Sequence, residues 1–218
     1  THMRHRRLLR EKPANRVALS VLNRILFASH TANSDWLATE LRTCGIKSRP
    51  MPFSPVCCGS HWPMSEPPSP YTILFYSHKD NDHIYLPDQM LRAAANLPDC
   101  RFICVGDPEL TSTLPNVEVA GTVSPEEMQE IYKKSHCLLR FTSHDGFPRM
   151  IFEAMAHGLE IVSNLPIPGI TRAEDPGDII PCISKLSESG TRRNLDLRNF
   201  VLDNFSAREW YRYWAEIQ

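Results

Sequence analysis

Between His136 and Gly158 the chain reads HCLLRFTSHDGFPRMIFEAMAHG, and few folds accommodate that order of residues. Cys137, Leu138, Leu139 and Phe141 make a short apolar run, closed by the turn cluster Ser143-His144-Asp145-Gly146. A run that short between turn signals reads as a fully buried parallel strand rather than a helix. Pro148 stands where a first helical turn begins, since its missing N–H costs nothing there. From Met150 to Ala156 nearly every position is apolar or small, which predicts a helix buried on most sides. Glu153 is the exception. A carboxylate in such a helix is costly without hydrogen-bond donors. Protein groups can supply them, and so can the vicinal hydroxyls of a ligand, because a carboxylate accepts only and a diol donates twice.

From Tyr71 onward strands and helices alternate. Strands are expected at 71–76, 101–105, 117–120 and 160–163, and helices at 87–96 and 125–133, the latter capped by Ser124 with Glu127 at the capping-box position. Such alternation predicts an α/β fold with a doubly wound, mostly parallel sheet and right-handed crossovers. Ligands on that architecture bind beyond the carboxyl ends of the strands. Ser77, Gly106, Gly121, Asp145 and Asn164 all fall at such ends, which points to one crevice. Thr142 and Ser143 can donate to ligand oxygens there. Arg140, set between Leu139 and Phe141, is expected to pair with an acid, because buried charges are usually paired.

Asp145-Gly146-Phe147 followed by Glu153-Ala154-Met155-Ala156-His157-Gly158 and an apolar strand resembles the Glu-x7-Glu motif of retaining GT-B glycosyltransferases, with Asp in place of the first Glu. The resemblance implies a Rossmann-like C-terminal half of a GT-B fold that moves a sugar from a nucleotide-diphosphate donor to a glycan, lipid-linked glycan or protein acceptor. It implies that Asp145, Gly146 and Phe147 meet the donor sugar and Glu153 the ribose. It also places Gly106, Gly121, Thr122 and Val123 near the nucleobase, and Gly169, Ile170 and Thr171 against the diphosphate. The loop after the first strand of this half, Ser77 to Tyr85, lacks the family's Gly-Arg pair; Lys79 is its best cation for phosphate, with His78 or His83 assisting. Transfer of this kind needs no metal and no cofactor, the donor being a substrate. Two other readings stay open: a sugar-nucleotide epimerase or phosphorylase of the same fold, and a non-catalytic nucleotide- or glycan-binding module.

Composition marks the remaining segments, and the same resemblance implies which of them are an N-terminal-domain fragment, the nucleotide-sugar-binding domain and crossover helices. Residues 1–12 read as a tag remnant with a basic patch, His5 to Arg10, and 13–56 as an αβ fragment of an N-terminal domain, with a helix at 16–23, a strand at 24–29 and Ser34 capping a helix through Leu41. Residues 57–70 are a Pro-rich linker that Trp62 can pack, 71–193 the nucleotide-sugar-binding domain, and 194–218 crossover helices with Phe200, Val201, Phe205, Trp210, Tyr211 and Trp214 on their apolar face. The rest of the N-terminal domain is expected to be missing from this chain, and transfer by the chain alone is not expected. A net charge of −1 offers no field for nucleic acid. No run approaches the ~18 apolar residues of a membrane span. Seven cysteines without paired spacing suit a reducing cytoplasm, with the inner face of a membrane as an alternative for a longer protein. Cys100, Cys104 and Cys137 read as small buried hydrophobes. Cys57-Cys58 with His61 lacks the Cys-x2-Cys spacing of a metal site, so no metal is expected.

Overall fold

The computed structural model describes residues 17, 21, 30–32, 34–50, 64–190, 192–205, 211, 212 and 215. The basic patch, the strand at 24–29, the Cys57-Cys58-His61 group, Trp62, Trp210 and Trp214 lie outside them, as does most of the helix at 16–23. The chain divides into two compact units, Thr1–Pro55 together with Ala207–Gln218, and Val56–Ser206.

In the first unit, β1 (Thr31–Ala32) and β2 (Arg49–Pro50) pair in parallel across α1 (Asp35–Thr43). Ser34 caps α1 as its residue type predicts, its hydroxyl accepting from the Leu37 amide at 3.2 Å. The helix runs two residues past Leu41 before it turns at Gly45, whose φ of +82° suits glycine.

The second unit is built on a six-stranded parallel sheet. Its strands are β3 (Thr72–Tyr76), β4 (Arg101–Val105), β5 (Val117–Gly121), β6 (Cys137–Arg140), β7 (Glu160–Ser163) and β8 (Thr171–Arg172), in the spatial order β5-β4-β3-β6-β7-β8. Chain order reverses between β3 and β6, where Ile73, Leu74 and Phe75 register with Cys137, Leu138 and Leu139. Both strands are buried on their two faces, which is why they read as unbroken apolar runs. The sheet is the doubly wound one that the alternation predicts. A short helix α2 (Asp82–Tyr85) follows β3, then α3 (Pro87–Asn96), α4 (Pro125–Lys134), α5 (Arg149–Ala156), α6 (Ile179–Glu188) and α7 (Leu195–Asn204).

Local chemistry sets these boundaries. Ser124 and Glu127 close the expected capping box, with bonds of 3.1 and 2.7 Å. Pro148 corrects the sequence reading by one residue: at φ −80° and ψ 93° it is the residue before the first turn of α5, with no side-chain cap on the amides that follow. Ile151, Phe152, Ala154, Met155 and Ala156 of α5 are buried, leaving Glu153 as the polar position of its inner half. Helix α7 packs on α5, and the Arg198 guanidinium donates to the Ala156 carbonyl. Cys100, Cys104 and Cys137 are buried in the sheet core; burial pushes the Cys104 thiol up to about 12.

Candidate functional site

A cleft of about 840 Å³ opens at the carboxyl ends of β3, β4, β5 and β6, across the point where strand order reverses. Tyr76 and His78 enter its wall from the end of β3, Val105 and Gly106 from β4, and Thr122, Val123 and Ser124 from the turn after β5. Arg140, Asp145 and Phe147 come from β6 and its turn, and Arg149 and Glu153 from α5. Parallel strands present their carboxyl ends on one side, so residues more than 70 positions apart in the chain converge here.

Gly106 shapes the wall. Its φ is +99°, and a Cβ there would meet the Tyr76 ring at 2.3 Å and the Ser77 carbonyl oxygen at 2.5 Å. Its amide donates to the Gly121 carbonyl at 2.7 Å, joining the ends of β4 and β5.

Arg140 is 7 % exposed and finds its acid inside the motif itself. Its Nε and Nη2 donate to Asp145 Oδ2 at 3.3 and 2.8 Å. The guanidinium also lies over the rings of Tyr76 and Tyr85, at 5.3 and 4.7 Å from their centroids. Two aromatic faces and one carboxylate therefore hold both members of the pair in place. Next in the turn, Phe147 stacks on Phe152 at 4.3 Å and leans on Phe205 at 6.0 Å. The turn Asp145-Gly146-Phe147 is thus tied at both ends to buried structure.

Glu153 is partly exposed to the cleft, its side chain 24 % accessible. Its Oε2 accepts from the Tyr132 hydroxyl at 2.9 Å, and its Oε1 lies 3.8 Å from Arg149 Nη2. One protein donor therefore meets the carboxylate, and the same carboxylate faces the cleft. Burial and the adjacent Glu153 push the Tyr132 phenol well above its usual range, which keeps that hydroxyl a donor.

Asp145, Phe147, Glu153, Gly106, Thr122 and Val123 meet around one space; Gly146 lies between two of them in the chain, and Gly121, in register with Val105, precedes Thr122. Of the residues expected against phosphate, His78 lines the cleft and the others do not. Lys79 is half exposed and its ammonium contacts Glu109 at 2.5 Å, outside the cleft wall. Gly169 packs on Leu197 of α7, and Thr171 pairs with Val162 at the sheet edge, so Gly169, Ile170 and Thr171 are also outside it. Ser143 donates to the His83 carbonyl at 2.7 Å. Asn164 bridges the Thr142 amide and carbonyl at 3.2 and 2.7 Å, bonding the ends of β6 and β7 as a peptide would. Of the four cations and aromatics not singled out from sequence (Tyr76, Tyr85, Tyr132 and Arg149), only Arg149 carried a local signal, its spacing of four from Glu153 on one helix face.

Among the described residues no helix is long and apolar enough to cross a membrane. No curated protein sequence matches the chain. Its fold is shared with solved structures at low identity. Alr3699/HepE of Anabaena, solved with UDP and glucose, superposes with a TM-score of 0.69 at 16% identity over 93% of this chain and 65% of its own. The lipopolysaccharide outer core galactosyltransferase WaaB in its apo form gives 0.67 at 16% identity over 86% and 60%. Sucrose-phosphate synthase from Thermosynechococcus elongatus gives 0.65 at 18% identity over 86% and 56%. The chain thus spans between a half and two thirds of the length of these structures. Residues 71–183, just over half of the chain, match the family model described as "Glycosyl transferases group 1". With that match laid over the parallel sheet and its cleft, the chain belongs to the group 1 glycosyl transferases and carries the Rossmann-like half of their GT-B fold.

Proposed function

We propose that the Val56–Ser206 unit binds a nucleotide-diphosphate sugar and serves as the donor half of a retaining glycosyltransferase. The observation that carries this reading is the placement of Asp145 and Glu153 in the wall of a single cleft at the switch point of the sheet. In this reading Glu153 accepts from the ribose diol. Asp145 and the turn amides of Gly146 and Phe147 meet the sugar, and the strand ends at Gly106, Gly121, Thr122 and Val123 border the base. The UDP and glucose held by the Anabaena structure are ligands of that chemistry.

Transfer breaks the bond between the sugar's anomeric carbon and the diphosphate oxygen, which leaves with the electron pair. The acceptor hydroxyl then bonds the same face of that carbon and passes its proton to the departing diphosphate oxygen. Developing charge on the leaving diphosphate is best met by fixed cations and amides. Arg140 and Arg149 are the arginines of the cleft wall, and the N-terminal end of α5, which begins at Arg149, adds the favourable end of its dipole. No metal enters this reading. Nothing in this unit is assigned to the acceptor, which is a glycan, a lipid-linked glycan or a protein.

A thermal-shift panel of UDP-, GDP-, dTDP- and ADP-sugars tests the reading. A ligand at a hundred times its Kd stabilises the native state by about 2.7 kcal/mol. One nucleotide series should raise the Tm, and no response to any of the four overturns the donor assignment. Release of nucleoside diphosphate only when an acceptor is present then separates transfer from epimerisation or simple binding.

A further inference from the structure

Helices α4 and α5 meet through two pairs of side chains. Gln129 and Tyr132, three apart on α4, face Glu153 and His157 around the end of α5. Tyr132 donates to Glu153 Oε2 at 2.9 Å, and Gln129 Oε1 lies 2.8 Å from His157 Nε2. Between these bonds the Tyr132 and His157 rings stack at 5.0 Å, 21° from parallel. Tyr132 is fully buried, and the carbonyls of Tyr132, Lys133 and Ser135 at the end of α4 all accept from the Arg193 guanidinium. The phenol is therefore fixed from its ring, its backbone and its hydroxyl.

What it holds is less constrained by itself. The terminal torsion of a glutamate is broad, so its two oxygens rotate freely unless one is bound. With Oε2 on Tyr132, Oε1 is left beside Arg149, another residue of the cleft wall. A carboxylate set in one orientation can accept from a cis-diol without losing rotamer freedom on binding, and that saving appears as affinity.

We propose that Tyr132 is a positioning residue whose hydroxyl sets the Glu153 carboxylate to read the ribose diol, so that the site prefers ribonucleotides over their 2′-deoxy counterparts. The inference rests on the nucleotide reading given above. It places a specificity element on α4, 21 positions before the acid through which it acts. The phenol stays protonated through the pH range in which proteins fold, so the hydroxyl points its proton at the carboxylate throughout.

The test is the ratio of affinities for UDP and 2′-deoxy-UDP, with GDP and 2′-deoxy-GDP as a second pair, in wild type, Tyr132→Phe, Glu153→Gln and the double variant. Loss of one hydrogen bond to a charged group predicts a ribose preference of about tenfold or more in the wild type. Tyr132→Phe keeps the ring on His157 and should cut that preference to about threefold or less, and it should change nothing further when added to Glu153→Gln. A ribose preference that Tyr132→Phe retains in full overturns the positioning role. So does an equal effect of Tyr132→Phe in both backgrounds. A wild type that binds none of the four nucleotides overturns the nucleotide reading itself, a different result. Wild-type protein carrying 13Cζ-tyrosine gives a second measure that needs no variant. The Tyr132 resonance should move on saturation with UDP or GDP, and less with the 2′-deoxy ligand; a resonance unmoved by a nucleotide that binds overturns the proposal.

Discussion

Arg140 Nη2 and Asp145 Oδ2 lie 2.8 Å apart, both side chains largely buried, so the acid of the turn after β6 is also the counter-ion of the strand that precedes it. Buried ion pairs of this kind contribute little net stability, but removing one partner is expensive because the other charge is left behind. The guanidinium also lies over the rings of Tyr76 and Tyr85, which meet each other edge to face, and this adds orientation on the arginine side. Asp145 is therefore held rigidly in the cleft wall.

Asp145→Ala should lower unfolding stability by about 3–5 kcal/mol, as for other broken buried pairs. Asp145→Asn keeps an acceptor for Arg140 and should cost less. Its effect should fall on the sugar: affinity for the nucleotide-sugar drops more than affinity for the bare nucleoside diphosphate. Isothermal titration with both ligands checks this, and equal losses would leave Asp145 with the ion pair alone.

Glu153→Gln can still accept from Tyr132, so the fold should survive. The charge-assisted bonds to a diol do not, and nucleotide affinity should weaken by about 1–3 kcal/mol. Titration of the folded variant decides it. Unchanged affinity would remove Glu153 from the binding site.

Gly106→Ala should be among the most damaging small substitutions in the cleft. A Cβ would sit 2.5 Å from the Ser77 carbonyl oxygen and 2.3 Å from the Tyr76 ring, at a φ of +99°. The left-handed backbone alone costs about 1–3 kcal/mol for a residue with a side chain. Urea unfolding should show a lower midpoint with an unchanged slope, and displacement of Tyr76 should loosen the Arg140 clamp.

His136 and His157 should make the fold acid-sensitive. Burial, then the charge of Arg193, lowers each imidazole from 6.5 to about 4 in the folded protein. Below 6.5 the unfolded chain takes up protons that these buried rings refuse, so stability supplied above that pH declines as pH falls and is gone near 4. His136 Nδ1 accepts from the Thr72 amide at 2.9 Å, a bond that only the unprotonated nitrogen can make. Unfolding midpoints measured from pH 7 down to 4.5 should fall, and His157→Gln should flatten the slope.

Much of the Val56–Ser206 unit was legible in the chain. The ends of α3, β4 and β7 fall where periodicity and turn residues put them, at Pro87–Asn96, Arg101–Val105 and Glu160–Ser163. These are short-range properties: a capping serine, a proline at a first turn and an apolar run between glycines act within a few residues of themselves. Pro148 was misplaced by one position because N-cap and first-turn prolines share nearly the same φ. Arg140 was read correctly as one half of an ion pair, but its partner was not named, since several acids stood within reach of a turn.

Strand order was decided by the tertiary structure alone. Nothing local to Thr72–Tyr76 or Cys137–Arg140 says that these two strands are neighbours, and only that adjacency makes a crevice of their carboxyl ends. The contacts that tune the site are of the same long-range kind: Tyr132 on Glu153, Tyr76 and Tyr85 on Arg140, Phe205 on Phe147. The sequence by itself determined the alternating α/β order, the buried strands and the two acids flanking a strand-to-helix turn, because periodicity and turn chemistry are written in neighbouring residues. Which cation meets which acid, and which loops stand outside the cleft, came from packing distant segments against one another, where side-chain geometry rather than residue type selects the partner.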